Sequence, residues 1–112
     1  MILPAFRLHQ PTTLDQALAM ARACTGGFDF VAGGTDLLPN YKNRLNPRCD
    51  VIALWRVKDL TTMDDRGIGA MVRLARLAGD AGVRSRWPGL AEAASAVATP
   101  LVRQQATLGG NL

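Results

Sequence analysis

A short apolar segment of this chain runs directly into a pair of glycines, and this junction restricts the fold more than any other feature. Residues 28–32 have the composition of a short buried strand. Residues 33–36 contain the glycine pair, and residues 37–45 have the pattern of a short helix that the side chain of Thr35 or Asp36 caps. The junction therefore predicts a strand, a tight turn and a helix in that order.

The segments around this junction repeat the same two patterns. Residues 6–9 alternate between apolar and polar side chains as a short strand does, and residues 49–55 have the composition of a buried strand. Apolar residues recur at helical spacing over residues 14–21, and Thr13 and Gln16 have the spacing of a capping box. The order β-α-β-α-β is typical of a small α/β unit.

The alternation of predicted strands and helices ends near residue 57. Residues 59–63 and 68–71 predict two strands around a turn, and residues 74–81 and 89–98 predict two helices. We therefore predict an α+β fold in which a second subdomain begins near this point.

The composition excludes several classes of site. The chain has 112 residues, of which 48% are hydrophobic and 20% charged, values that fit one modest globular domain. Its one histidine, His9, and its two cysteines, Cys24 and Cys49, lack the spacing of a metal-binding pair. We therefore predict no disulfide, zinc site or iron–sulfur cluster, and two buried free thiols in a cytoplasmic protein.

The net charge of +4 allows an acidic partner without naming one. No block of basic residues with interleaved aromatics is present, so we predict no nucleic-acid binding. The arginines Arg73, Arg76, Arg84 and Arg86 are interpreted as a solvated face, with a docking surface for a partner subunit as the alternative. No apolar run reaches the roughly 20 residues of a membrane helix, so we predict no membrane span.

Two loops that combine threonine with a glycine pair are the candidates for chemistry. In the first, residues 33–36, backbone amides at the start of a helix can bind a phosphate, and the glycines let the backbone approach it. The second, residues 107–111, has a similar composition. Each loop alone also fits an ordinary turn. Two of them in one short chain favour one extended phosphate ligand.

Together these residues resemble the FAD-binding subunits of molybdenum hydroxylases. Residues 31–39, with the sequence VAGGTDLLP, resemble the first flavin loop of that family, and residues 68–70, 87–94, 102–103 and 107–111 follow in the family's order. The family includes the medium subunits of carbon monoxide dehydrogenase, xanthine dehydrogenase and 4-hydroxybenzoyl-CoA reductase. The resemblance implies the two-subdomain FAD-binding fold of the vanillyl-alcohol-oxidase (PCMH) type.

The resemblance also implies how the chain is divided. Residues 1–57 would form the N-terminal α/β subdomain, and residues 58–112 would begin the second, α+β subdomain. Family members continue beyond Leu112, so we expect a fragment that is truncated within the second subdomain. We expect this fragment to be inactive alone and to bind FAD weakly or not at all.

The implied cofactor is FAD, bound without a covalent link. Some relatives attach FAD through a histidine just after the glycine pair, whereas this chain has Thr35, which cannot form that bond. No catalytic residue is assigned. The residues that the resemblance assigns to FAD are Phe30, Val31, Ala32, Gly33, Gly34, Thr35, Asp36 and Leu37 in the first loop, and Thr107, Leu108, Gly109, Gly110 and Asn111 in the second.

The implied function is that of one subunit of a multi-subunit, FAD-dependent oxidoreductase. Electrons would come from a molybdopterin-bound molybdenum centre on a large partner subunit, through 2Fe–2S clusters on a small partner subunit, and would leave to an external acceptor. One alternative is a noncatalytic interaction subunit that keeps the fold without FAD. A basic nucleic-acid-binding domain is a further alternative.

Overall fold

The computed structural model describes residues 2–112, which contain five short strands and seven helices. In chain order these are β1 (Arg7–His9), α1 (Leu14–Ala23), β2 (Asp29–Val31), α2 (Leu37–Lys42), β3 (Asp50–Ala53), β4 (Met63–Asp64), β5 (Gly67–Ile68), α3 (Leu74–Gly79), α4 (Ala81–Arg86), α5 (Pro88–Ala96), α6 (Pro100–Gln105) and α7 (Leu108–Asn111). The predicted order β-α-β-α-β in the first half is confirmed.

The first three strands form a parallel sheet in the order β1-β3-β2. The central strand β3 is buried along its whole length, as its apolar sequence predicts. At its amino end, the carboxylate of Asp50 accepts hydrogen bonds from Arg7 at 2.8 and 2.9 Å. The Arg7 guanidinium, together with a hydrogen bond from His9, lowers the pKa of Asp50 to about 2, so this buried carboxyl group is ionised.

Helix α1 begins at a capping arrangement close to the predicted one. The Thr13 hydroxyl accepts a hydrogen bond from the Gln16 amide at 3.1 Å. The Gln16 side chain accepts from the amide of Thr12, one residue earlier than a capping box requires. Gly27, which follows the helix, has φ +88°, a left-handed conformation that glycine adopts without strain.

The second half differs from the predicted pattern in several places. The strand predicted over residues 68–71 is shortened to Gly67–Ile68, because the segment opposite its second half turns at Lys58–Leu60. Residues 59–63 were expected as a strand, but Lys58–Leu60 form a 3₁₀ turn, because the hydroxyls of Thr61 and Thr62 donate to carbonyls three residues earlier. The helix expected over residues 74–81 stops at Gly79, because Asp80 caps a new helix, α4, through the Val83 amide.

Two apolar clusters lie along the chain. The first contains Val31, Tyr41, Val51 and Ala53. The second contains Val72, Leu74, Leu77, Val83, Ala91, Ala94 and Ala106. The clusters lie on opposite sides of residue 57, and the subdomain boundary placed there stays a prediction.

Candidate functional site

Residues of both glycine loops line one cleft with a volume of about 230 Å³. The lining residues are Phe30, Ala32, Gly33, Gly34, Thr35, Asp36, Leu37, Ala106, Thr107, Gly110 and Asn111. Of the residues assigned from the sequence, Val31, Leu108 and Gly109 do not line it. Ala106 does line it and was missed, because an alanine next to a loop carries no chemical signal of its own.

The first loop offers a row of backbone donors to this cleft. The amides of residues 33–37 donate to no acceptor within residues 2–112. Asp36 occupies the position before α2, yet its side chain makes no cap and instead accepts from the Asn40 side chain at 3.2 Å. The predicted side-chain cap by Thr35 or Asp36 is therefore wrong. Five successive amides remain for an external acceptor, which is the arrangement that binds anions.

The second loop uses its amides inside the protein. The Gly109 amide donates to the Ala70 carbonyl at 2.8 Å, and the Gly110 amide donates to the Thr107 hydroxyl at 3.1 Å. The Asn111 amide donates to the Thr107 carbonyl. These bonds make a short helix, α7, where an ordinary turn was the alternative. This loop therefore contributes a wall of the cleft and the Asn111 side chain.

The glycine pairs serve contacts within the protein. A Cβ atom on Gly33 would overlap the carbonyl oxygen of Gln105, and one on Gly109 would lie 2.7 Å from the Cβ of Ala70. Gly34 has φ +73°, and its added Cβ would face the Leu38 side chain at 2.9 Å. Close packing within the chain is thus one reason for these glycines, and close approach of a ligand stays a prediction.

A buried tyrosine fixes helix α2 to the sheet behind the cleft. The Tyr41 hydroxyl donates to the Asp29 carboxylate at 2.7 Å and accepts from the Arg48 amide at 3.1 Å. Burial raises the pKa of Tyr41 above its ordinary value of 10.0, and the hydrogen bond to Asp29 raises it further. The hydroxyl therefore stays protonated and holds α2 beside β2, so that the loop between them keeps its shape.

We expect Tyr41→Phe to lower the free energy of unfolding by about 1–3 kcal/mol, because Asp29 and the Arg48 amide lose a buried partner. The raised pKa of Tyr41 also means that its contribution is present below pH 10 and is lost as the pH rises through the folded-state pKa. Urea unfolding at pH 7 and at increasing alkaline pH measures both effects. Asp29→Asn, which keeps an acceptor oxygen, is the milder control, and an equal loss in both variants would contradict this account.

The cleft contains a carboxylate and no basic side chain among its described lining residues. An anion there would be held by amide dipoles. The four arginines predicted to form a solvated face, Arg73, Arg76, Arg84 and Arg86, are all exposed. Three of them also bond within the chain: Arg84 to the Ala78 carbonyl, Arg76 to the Thr61 carbonyl, and Arg86 to Asp65.

The cysteines differ from the sequence expectation. Both are free thiols, as predicted, but Cys49 is exposed and Cys24 is only partly buried. Among helices in the described part of the chain, none is long and apolar enough to cross a membrane.

The chain matches one known domain family along almost its whole length. Residues 4–112 match the family described as FAD binding domain in molybdopterin dehydrogenase. This match confirms the resemblance that the two glycine loops and their order indicate.

Curated relatives and solved structures agree with this match. The chain is 34% identical to the carbon monoxide dehydrogenase medium chain of Hydrogenophaga pseudoflava, over 100% of this chain and 40% of that protein. It is 33% identical to the nicotine 6-hydroxylase medium subunit of Paenarthrobacter nicotinovorans, over 100% of this chain and 41% of that protein. A structure of carbon monoxide dehydrogenase from Hydrogenophaga pseudoflava superposes with a TM-score of 0.93 at 35% identity, over 99% of this chain and 40% of that chain.

The chain thus spans about 40% of the length of the relatives it matches. The superposition confirms the predicted mixed α and β fold as the fold of these proteins. By sequence and by fold, the chain belongs to the family of FAD-binding domains of molybdopterin dehydrogenases.

Proposed function

We propose that this chain binds FAD noncovalently as part of the FAD-binding subunit of a molybdenum-hydroxylase-type oxidoreductase. The observation that carries the proposal is the row of five amides, residues 33–37, which line the cleft and have no acceptor in the described chain. Successive unpaired amides at one loop bind anions, and the diphosphate of a dinucleotide supplies acceptor oxygens for them. When bound, FAD supplies a group that accepts and donates electrons.

The residues present fit this cofactor. We propose that the amides of Gly33, Gly34 and Thr35 hold the diphosphate, and that Asn111 and the wall formed by Thr107 and Gly110 bound it from the second loop. Thr35 has no nucleophilic nitrogen, which supports noncovalent binding. Val31 and Leu108 would act indirectly, because each anchors its own loop to one of the two apolar clusters, and Gly109 would do so through its close contact with Ala70.

We propose further that the protein works with two partners in the cytoplasm. Electrons would arrive from a molybdopterin-bound molybdenum centre on a large subunit, through 2Fe–2S clusters on a small subunit, and would leave to an external acceptor. The relatives are named medium chain and medium subunit, which supports a place between a larger and a smaller partner. Arginines that bond within the chain support this proposal over a nucleic-acid-binding domain.

The direct test is to purify the protein, add FAD and follow the quenching of flavin fluorescence. We expect saturable binding, and we expect acid precipitation to leave all of the flavin in the supernatant because no covalent bond holds it. Absence of quenching at high FAD concentration would contradict the proposal and favour a noncatalytic interaction subunit. A salt-dependent gel shift with DNA in place of flavin binding would instead favour the nucleic-acid alternative.

A further inference from the structure

Three side chains with different donor atoms meet beside the first sheet, away from the residues that line the cleft. They are His9 at the end of β1, Cys24 just after α1, and Asp50 at the start of β3. One ligand atom from each lies within 4.8 Å of the other two. The cleft lies at the carboxyl end of β2, whereas Asp50 opens β3, so this cluster has no part in the proposed FAD site.

The spacing of the histidine and carboxylate ligands in this cluster is close to that of a tetrahedral metal site. His9 Nε2 lies 3.0 Å from Asp50 Oδ1. With metal–ligand bonds of about 2.0–2.1 Å, neighbouring nitrogen and oxygen ligands of a tetrahedron lie about 3.3 Å apart. A metal ion can therefore take the place of the proton between these two atoms, after small side-chain movements. The Cys24 thiol now donates to the Met20 carbonyl at 3.1 Å and would turn toward the ion as a thiolate.

The surroundings resemble those of a metal site in two further respects. Arg7 holds the Asp50 carboxylate with two hydrogen bonds, which is how an outer residue orients a ligand. A cavity of about 310 Å³ adjoins the cluster and leaves room for a water molecule as fourth ligand. The thiolate and the carboxylate together balance the two positive charges of the ion, and solvent screens the additional charge of Arg7, whose side chain is 75% exposed.

We propose that His9, Cys24 and Asp50 bind one divalent transition-metal ion. The preferred ion is Zn²⁺, and a water molecule is its fourth ligand. A mixed set of nitrogen, sulfur and oxygen donors suits Zn²⁺, whereas Mg²⁺ and Ca²⁺ take oxygen ligands. The ion would fasten β1, the end of α1 and β3 to one another. The histidine and cysteine spacings on which the sequence prediction rests do not include the Asp50 carboxylate, which the parallel sheet brings beside His9.

Cobalt provides a direct probe of this site. The chain is stripped of metal with a chelator and titrated with Co²⁺, and a thiolate-to-cobalt charge-transfer band in the near ultraviolet reports a Cys ligand. We expect one Co²⁺ per chain, displacement by Zn²⁺, and release of the Cys24 proton on binding. Loss of an outer-shell partner typically weakens metal binding by about 10–100-fold, so Cys24→Ser should weaken it by about 100-fold or more.

The matched control is Cys49→Ser, since Cys49 is the other thiol of the chain and is exposed. This variant should keep the band and the affinity unchanged. His9→Gln should weaken binding while keeping the thiolate band at high Co²⁺. Circular dichroism confirms that each variant is folded. A wild-type chain without the band, a band that persists in Cys24→Ser, or one that disappears in Cys49→Ser would each overturn the proposal.

Discussion

Gly33→Ala is expected to weaken FAD binding by about 100-fold. The added Cβ would overlap the backbone carbonyl of Gln105, and it would also lie 3.3 Å from the Cα of Ala106. Backbone atoms cannot rotate away as a side chain does, so the two loops must separate. Overpacking of this kind costs about 1–3 kcal/mol, and 2.7 kcal/mol corresponds to about 100-fold in affinity. The separation would move the amides of residues 33–37 away from the wall that Ala106 and Thr107 form.

The measurement is a flavin fluorescence titration of the wild-type protein and of the Gly33→Ala variant, with circular dichroism as the check on folding. Gly26→Ala is the matched control, because an added Cβ at Gly26 has no neighbour within 4 Å. That control should bind FAD with wild-type affinity. A folded Gly33→Ala protein that also binds FAD as tightly as wild type would show that contact between the loops does not shape the site.

The neighbouring glycine acts through a different physical cause. Gly34 has φ +73°, a conformation that costs other residues roughly 1 kcal/mol, and a Cβ there would meet Leu38 and Val31 instead of the open cleft. The sequence predicts that Gly33 and Gly34 belong to the FAD site, and both residues line the cleft. It could not predict the reasons, because the carbonyl that excludes a side chain at Gly33 belongs to a residue far along the chain.

A sequence pattern reports only on residues that are near one another in the chain, and this explains which elements could be predicted. Local patterns identify β2, β3 and α1, because each has a continuous run of matching side chains. The break between α3 and α4 was missed because the apolar spacing continues through it, although Asp80 three residues before Val83 is an N-cap signal. The meeting of the two glycine loops depends on long-range packing. No single local pattern contains it; the presence of two similar loops favours it, and the resemblance to a family predicts it.

The size of the cleft limits how much of FAD the chain holds. Its volume is about 230 Å³, whereas sites that enclose a whole drug-sized ligand have roughly 300–1,000 Å³. The contacts that the structure offers are the amides of residues 33–37, which suit a diphosphate. The two ring systems of FAD would therefore lie largely outside the cleft of the 112-residue chain, and most of the affinity would come from the diphosphate.

We therefore expect the purified 112-residue chain to bind FAD and ADP with affinities within about tenfold of each other, a difference of about 1.4 kcal/mol. Riboflavin lacks a diphosphate and should bind at least about 100-fold more weakly than FAD, since it cannot use the free amides. Calorimetric titrations of the three compounds at one salt concentration measure this order, and Gly33→Ala should weaken FAD and ADP equally. If FAD bound about 1,000-fold more tightly than ADP, the flavin ring would have a site of its own within these residues, and the diphosphate would not be the main source of affinity.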